Sequence, residues 1–227
     1  DHFHVIQELN RRVDRVRIRV QNRFRKTINT LKPKENNKTI TPEEIVELEE
    51  ASRYYYVLKK FNWLLFSTNK KILDVNVDRK FNRTLNRYLN YSEILDFMLA
   101  IDDELEDAFY LRNDITYFYD HCTYDTAKKQ LEKIIIDFRS SPIAEMSPFA
   151  NTLTNWKREI INSFIIVDDK ANRKMNTAIV ENRNKSIKLI KHASNGYLNW
   201  ERFRNRILYT LNEDTTFYYT SIRKDGK

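Results

Sequence analysis

The sequence is poor in the residues that most often interrupt helices. It contains 2 Gly and 4 Pro among 227 residues, which favours long helices with few breaks. No segment approaches the roughly 18 consecutive apolar residues of a membrane span. The N-terminal residues DHFHVIQELN have neither the basic start nor the apolar stretch of a signal peptide. We therefore expect no membrane association.

A single cysteine, Cys122, also limits the chemistry. One thiol can form neither an internal disulfide nor a cysteine-based zinc site, so a reducing, cytoplasmic location is the default expectation. We predict Cys122 to be half-buried and unreactive, because the neighbouring His121 points away from it on a helix or strand. The spacing of His2 and His4 beside Asp1 does not match known zinc motifs. Glycine-rich phosphate-binding motifs and the serine nucleophile motif of hydrolases are absent.

The composition is that of a folded, basic protein. Hydrophobic residues make up 41% and aromatic residues 13%, so a substantial core can form. The length fits one large domain or a core with a sizeable insertion. The 40 Lys and Arg against 32 Asp and Glu give a net charge of +8, which suggests a polyanionic partner. Many basic proteins bind no nucleic acid, so the charge alone does not identify that partner.

Hydrophobic periodicity predicts a mainly α fold with few strands. Thr41, Pro42 and Glu44 have the pattern of a capping box at a helix start. Trp156 and Ile160 are predicted on the apolar side of their helix. The predicted helices are 2–26, 41–66, 91–119 with an interruption near Asn113, 126–138, 147–164, 180–192 and 199–211. The other segments are a polar break at 31–40, an ambiguous loop or short helix at 69–83, a strand candidate at 163–167 and a helix stop at 193–196.

The acidic run DDELED at residues 102–107 has two interpretations. It could bind a cation, or it could be the solvated face of a helix. Its acids share a helical face only loosely, and the run lacks the glycine of a calcium-binding loop. The solvated helix face is therefore the favoured interpretation.

Glu181 stands at the head of a row of cations. At steps of four, three and four, one helical face would carry Glu181, Lys185, Lys188 and His192. Ile187 and Ile190 fall on a different side. A Glu four residues before a Lys is an ordinary surface pair, and this interpretation stays open. However, residues 170–206 contain ten Lys or Arg and only two acids. A carboxylate there is well placed to hold Mg²⁺ against a phosphodiester, provided that another carboxylate joins it.

Two sequence blocks resemble one family. The first is NTAIVENRNKSIKLIKH at 176–192, followed by NGYLNWERFRNRIL at 195–208. The second is the start, DHFHVIQELN, with Val16 and Arg17 soon after it. Together they resemble the C-terminal part of the DDE transposases of bacterial insertion sequences, in the ISL3 branch. The resemblance implies that Asp1 is the second catalytic carboxylate and Glu181 the third.

The resemblance also implies a fold and a reaction. The fold is the C-terminal part of an RNase H-like (α/β) catalytic core with a large helical insertion. It divides the chain into a core segment at 1–26, the insertion at 27–160 and the end of the core at 161–227. The reaction is DNA strand cleavage and strand transfer at transposon ends. It uses two divalent metal ions, Mg²⁺ or Mn²⁺, held by three carboxylates that include Asp1 and Glu181.

The resemblance assigns DNA contacts to a set of residues near Glu181. They are Arg183, Asn184, Lys185, Lys188, Lys191, Tyr197, Arg202, Arg204 and Arg206. For Arg12, Arg15 and Arg19, contact with the DNA backbone and a plain surface role are equally open.

The first catalytic Asp of the family has no match in this sequence, and it would precede residue 1. The chain also starts without Met, so we expect a piece of something longer that alone neither cleaves nor joins DNA. Two alternatives stay open. One is a non-catalytic helical DNA-binding or oligomerisation module, for which a homo-oligomer is conceivable. The other is a basic helical protein unrelated to transposition, with Glu181 on its surface.

Overall fold

The computed structural model describes residues 2–168, 173–174 and 178–211. The contacts within the chain define two compact units, Asp1–Met175 and Asn176–Lys227. Helices dominate the described residues and strands are few, which confirms the mainly α prediction. No helix in these ranges combines the length and the apolarity that crossing a bilayer requires.

The elements follow one another as short and long helices with two small strand pairs. The helices are α1 (His2–Asn36), α2 (Pro42–Lys60), α3 (Tyr91–Leu99), α4 (Asp103–His121), α5 (Tyr124–Ser140), α6 (Phe149–Asn155), α7 (Lys157–Asn162), α8 (Ala178–Ala193) and α9 (Trp200–Leu211). A 3-10 helix spans Asn62–Phe66. The antiparallel pairs are β1 (Lys80–Asn82) with β2 (Arg87–Leu89), and β3 (Ile166–Asp168) with β4 (Arg173–Lys174).

Helix α1 forms because apolar residues repeat on one of its faces. Leu9, Val13, Val16 and Val20 are fully buried, and their steps of four, three and four define one helical face. This helix packs mainly against α2 and α4. The helix predicted at residues 2–26 is therefore confirmed.

Helix α1 is longer than predicted. The polar break predicted at 31–40 is wrong for residues 31–36, because the helix continues through Pro33 to Asn36. Leu31 is buried in this last part, so its apolar contact holds the helix together beyond residue 26. Pro33 has no N–H to donate to the carbonyl of Asn29, so the helix passes through this position with one backbone hydrogen bond fewer.

The end of α1 is a Schellman motif. The amide N–H of Thr39 donates to the carbonyl of Lys34 (2.9 Å), and that of Lys38 donates to Glu35 (3.0 Å). Lys38 has a φ of 58°, the left-handed conformation that closes many helices. The motif satisfies carbonyl groups that the helix end leaves without an intrahelical partner.

Helix α2 begins at the predicted capping box. The amide N–H of Glu44 donates to Thr41 Oγ1 (3.3 Å), and the Thr41 N–H donates to the Glu44 carboxylate (3.1 Å). Pro42 occupies the first turn, where its missing N–H costs nothing. The α-helix ends at Lys60, and the 3-10 helix continues the predicted segment to residue 66.

The break in the 91–119 segment lies elsewhere than predicted. The helix passes through Asn113 without interruption, so the predicted interruption near this residue is wrong. The chain breaks instead between α3 and α4, where Asp102 Oδ1 accepts the amide N–H of Leu105 (3.1 Å) and caps α4. A capping aspartate explains the break, because its side chain replaces a missing backbone partner. Cys122, directly after α4, is half-buried as predicted.

The single helix predicted at 147–164 is also wrong, because two short helices occupy this segment. Trp156 separates α6 from α7, and its main-chain N–H donates to the carbonyl of Thr152 (3.1 Å). The Trp156 side chain is 57% exposed, whereas Ile160 is buried. The prediction that both residues lie on the apolar side is therefore confirmed for Ile160 only. The turn between the two helices changes the direction in which the following side chains point.

A β-hairpin begins at the end of the 69–83 segment, so the prediction of a loop or short helix there is wrong for residues 80–82. Phe81 of β1 lies opposite Tyr88 of β2 in an antiparallel register. Asn82 Oδ1 accepts the amide N–H groups of Thr84 and Leu85, both at 3.1 Å, which holds the turn. Strands of three residues are too short to give a periodic signal. The strand predicted at 163–167 is confirmed only in part, because β3 begins at Ile166.

The acidic run at 102–107 contacts α1. Asp102 pairs with Arg23, and Glu104 pairs with Arg19. The interpretation as a solvated helix face is wrong for these two acids, because their partners come from a helix some eighty residues earlier. The run helps to attach α4 to α1.

Candidate metal ligand and nucleic-acid interface

Glu181 lies in the first turn of α8, which belongs to the second unit. Its side chain is half-buried, whereas Lys185 and Lys188 on the same face are exposed. Ile187 and Ile190 are half-buried on the other side, and α8 contacts α9. The helix is therefore amphipathic in the predicted sense, with the carboxylate and the lysines away from the apolar residues.

The stop after α8 fixes the turn into α9. The amide N–H of Gly196 donates to the carbonyl of Lys191 (2.9 Å), and that of Asn195 donates to His192 (3.0 Å). Asn195 and Gly196 have φ values of 51° and 96°, which Asn and Gly adopt more readily than other residues. The helix stop predicted at 193–196 is thus confirmed.

A shallow cleft lies at this turn. Its volume is about 440 Å³, and it is lined by Lys188, Lys191, His192, Asn195 and Gly196. Two lysine ammonium groups and a histidine beside an open glycine suit an anion such as a phosphate. Lys191 and His192 also lie in the last turn of α8, where cations interact favourably with the helix dipole. The same basic residues thus serve the helix end and the cleft.

Tyr197 packs inside the second unit. Its ring is stacked on that of Phe203, with centroids 4.9 Å apart, and its hydroxyl lies 2.9 Å from the Ser194 hydroxyl. The ring of Trp200 meets Phe203 edge-on at 6.0 Å. Trp200 is far more exposed than Tyr197. A stacking platform for a base is therefore better provided by Trp200 than by the predicted Tyr197.

Arg183, a predicted DNA contact, makes a structural contact within the second unit. Its Nη1 donates to the main-chain carbonyl of Leu211 (2.6 Å) at the end of α9. Because Arg183 is near the start of α8, this bond and the short turn between the helices pair them antiparallel. Arginine at a helix C-terminus satisfies a carbonyl that has no intrahelical partner.

Helix α9 presents the other predicted DNA contacts. Its start is capped by Asn199, whose Oδ1 accepts the amide N–H of Arg202 (3.0 Å). Arg202, Arg204 and Arg206 are exposed, as is Asn184 on α8. The predicted cations thus form two groups in the second unit, one on each helix.

The arginines of α1 are mostly engaged in internal contacts. Arg12 pairs with Glu8 (3.0 Å) and donates to the main-chain carbonyl of Glu145 (2.8 Å). Arg19 pairs with Glu104 and Glu145. Of these three arginines, for which DNA contact and a surface role were equally open, only Arg15 is exposed. For Arg12 and Arg19 the contacts support a structural role.

The first turn of α1 adjoins residues from distant parts of the chain, and local sequence patterns could not predict these contacts. The ring of His2 lies 5.5 Å from that of Tyr119. Lys174 donates to the main-chain carbonyl of Tyr119 (3.0 Å) and lies 4.7 Å from the centre of the Phe164 ring. Burial lowers the pKa of His2, and the charge of Lys174 lowers it further. Burial also raises the pKa of Tyr119.

A complete metal site does not form within residues 2–168, 173–174 and 178–211. No group of three or more His, Cys, Asp and Glu side chains there could hold a metal ion. Glu181 supplies one carboxylate, the donor type that Mg²⁺ and Mn²⁺ prefer. Asp1, the other predicted ligand, lies outside the described residues.

Comparison with known proteins identifies the family. A family model described as transposase, of the DDE class and the ISL3 branch, matches residues 1–207. No curated protein and no solved structure matches the chain. The family match spans both sequence blocks and the helices between them, and it includes Asp1 and Glu181. The chain therefore belongs to the ISL3 family of DDE transposases.

Proposed function

We propose that this chain is the C-terminal part of a transposase catalytic core, in which Asp1 and Glu181 are the second and third metal-binding carboxylates. The match of the family model over residues 1–207 carries this proposal. The position of Glu181 supports it, since a half-buried carboxylate precedes exposed lysines on one face of α8. In the proposed division, 1–26 and 161–227 belong to the core and 27–160 is the helical insertion.

The proposed reaction is cleavage of DNA at transposon ends and strand transfer by the intact protein. When bound, Mg²⁺ or Mn²⁺ would stabilise, as a Lewis acid, the negative charge that develops on the phosphate oxygens. Glu181 and Asp1 would hold that metal, and the cations of α8 and α9 would hold the DNA. A DNA substrate also agrees with the cytoplasmic location expected from the single cysteine.

The proposed DNA surface consists of exposed cations in the second unit. Lys185, Lys188 and Lys191 neutralise phosphates along α8, since phosphate contacts dominate the affinity of DNA-binding proteins. Asn184, Arg202, Arg204 and Arg206 are exposed and add contacts from both helices. Arg183 and Tyr197 act mainly by holding α8, the turn and α9 in place.

The salt dependence of DNA binding tests this surface. We expect the Lys185→Ala/Lys188→Ala/Lys191→Ala variant to bind a fluorescein-labelled 30-base-pair duplex more weakly by anisotropy. The slope of log affinity against log salt falls by about 0.9 for each lost phosphate contact. The matched control removes three exposed lysines of α5, namely Lys128, Lys129 and Lys133. An equal loss of slope in both variants would contradict the proposed surface.

A nicking assay tests catalysis by residues 1–227 alone. We expect no Mg²⁺- or Mn²⁺-dependent cleavage of supercoiled plasmid, because the first catalytic Asp of the family has no match in residues 1–227. Metal-dependent cleavage that disappears in Glu181→Ala would contradict this expectation. Such a result would mean that the chain completes its own site.

A non-catalytic DNA-binding or oligomerisation module is the second candidate. Exposed apolar side chains in α8, α9 and their connection favour it, namely Leu189, Leu198, Trp200 and Leu208. Burial of such side chains between copies would stabilise a homo-oligomer. Sedimentation at several protein concentrations measures this, and a monomer throughout would exclude the oligomerisation module.

A further inference from the structure

A second cleft lies in the first unit, between the end of α2 and the β1–β2 hairpin. Its volume is about 580 Å³, which is within the range of small-ligand sites. Aromatic and basic side chains make up half of its lining, among them Tyr56, Lys60, Lys80, Phe81, Arg83 and Tyr91. Neither the catalytic acids nor the cations of α8 and α9 belong to it.

Two aromatic residues of the cleft lining, Phe81 and Tyr91, are exposed, and each has an exposed aromatic neighbour outside the lining. Phe81 is 49% exposed, and its ring lies 5.1 Å from that of its cross-strand neighbour Tyr88, which is 67% exposed. Tyr91 and Trp63 form a second pair at 5.2 Å. Both members of that pair are also exposed. Four exposed rings in two pairs offer flat apolar faces on which a base can stack.

The segment that forms the cleft is also rich in basic residues. Residues 56–94 contain eight Lys or Arg and three Asp or Glu. One of these acids, Glu93, is paired with Arg79. Of the three acids, Asp78 belongs to the cleft lining. Lys80 and Arg83 are exposed, and no ion pair is found for either within the described residues. The cleft therefore attracts anions.

The Lys60 ammonium group is held at the cleft by two rings. It lies 5.2 Å from the centre of the Tyr56 ring and 5.8 Å from that of Phe61. Burial raises the pKa of Tyr56, but hydrogen bonds from Lys60, Thr84 and Asn82 outweigh burial and lower it. Cation–π contacts of this kind keep a charge close to an apolar surface.

The walls of the cleft are fixed by polar contacts. Asn90 is buried, and its amide donates to the carbonyl groups of Val75 (3.0 Å) and Val77 (3.4 Å). Its Oδ1 accepts the amide N–H of Glu93 (2.9 Å) and caps α3. A site built in advance loses less conformational entropy on binding. Together with the Asn82 turn, these bonds make the cleft a preformed site.

We propose that this cleft binds an unpaired nucleotide of a DNA strand. The base stacks on Phe81 and Tyr91, and the flanking phosphates contact Lys80 and Arg83. Stacking with little sequence preference, combined with cations that follow the backbone, is how proteins hold single strands. The membership of a DNA-transposing family is used only to choose DNA among polyanions. The proposal does not depend on Glu181 as a metal ligand or on the α8 and α9 surface.

Anisotropy with a labelled 12-nucleotide single strand and the matching 12-base-pair duplex tests the cleft. In the full chain, we expect Phe81→Leu to weaken single-strand binding at least about fivefold, the lower end for loss of one stacked base. Duplex binding changes less than twofold. Phe81→Trp keeps a ring and retains the affinity. Lys80→Ala and Arg83→Ala each lower the single-strand salt slope by about 0.7.

The matched control is Tyr110→Leu, which removes a ring that is 53% exposed on α4. It leaves single-strand binding unchanged, and circular dichroism checks that every variant is folded. Equal effects of Phe81→Leu and Tyr110→Leu, or no single-strand binding at low salt, would overturn the proposal. A tighter complex with RNA of the same sequence would overturn the choice of DNA. The Lys185, Lys188 and Lys191 variant reports separately on the duplex surface, so the two proposals can fail independently.

Discussion

Arg19 and Glu145 form a two-pronged ion pair between α1 and the segment that precedes α6. Arg19 Nε donates to Glu145 Oε1 (2.8 Å), and Nη2 donates to Oε2 (3.0 Å). The hydrogen bond from Arg19 lowers the pKa of the Glu145 carboxyl group, and burial opposes this only in part. The pair therefore favours the ionised carboxylate in the folded protein.

The first prediction concerns the pH dependence of stability. Glu145→Gln should lower the free energy of unfolding at pH 7 by about 1 kcal/mol, a modest figure because Arg19 is partly exposed. The folded pKa of Glu145 lies below its ordinary value of 4.5. The contribution of the pair is thus complete above that value and is lost as the pH falls through the folded pKa. Urea unfolding of both proteins at pH 7 and at pH 3 measures the stability difference at pH 7 and its loss at low pH.

Glu132→Gln is the matched control for this pair. It removes the more exposed ion pair with Lys157, and exposed pairs contribute little. We expect no measurable change in the free energy of unfolding at pH 7. A difference between native protein and Glu145→Gln that stays constant down to pH 3 would contradict the role of the charged pair.

Local patterns predicted most of the helices, and long-range pairs could not be predicted. The buried face of α1 and the Thr41 cap depend on residues within one or two turns, so the sequence contains their whole signal. Arg19 instead meets an acid 126 residues later. A row of arginines on one face looks the same whether its partners are DNA phosphates or carboxylates of the same chain.

The second prediction concerns the end of α1. Lys38 has a φ of 58° at the closing position of the Schellman motif, where glycine avoids the steric cost of a side chain. Lys38→Gly should therefore raise the free energy of unfolding by about 0.5–1 kcal/mol. Thermal unfolding measures this. Asn37→Gly is the control, and it should not stabilise the protein, because Asn37 does not have a positive φ.

The third prediction compares a fully buried ring in the first unit with a half-buried ring in the second. Phe138 of α5 is fully buried against Phe149, so Phe138→Ala should cost about 3–5 kcal/mol. Phe203 of α9 is only half-buried, so Phe203→Ala should cost less than about 2 kcal/mol. Urea unfolding by far-ultraviolet circular dichroism compares them. Equal costs would show that Phe203 packs as tightly as Phe138.

The candidate site was predictable where it is helical and unpredictable where residues meet across the turn. Lys185 and Lys188 follow Glu181 at helical steps, so their shared face could be predicted. The stacking of Tyr197 on Phe203 and the contact of Arg183 with the end of α9 depend on how the helices pair. The family resemblance predicts DNA contacts for Arg183 and Tyr197, and both residue types are common at such interfaces.

The last prediction separates a metal ligand from an ordinary surface acid at Glu181. In EDTA, Glu181→Gln should bind duplex DNA about threefold more tightly, because a carboxylate beside the lysines repels phosphate. Glu201→Gln removes the other acid of this basic region, in the first turn of α9, and should have a similar effect. Adding Mn²⁺ at constant ionic strength should strengthen binding by native protein and Glu201→Gln, but not by Glu181→Gln. The same response to Mn²⁺ in all three would favour the surface Glu–Lys pair.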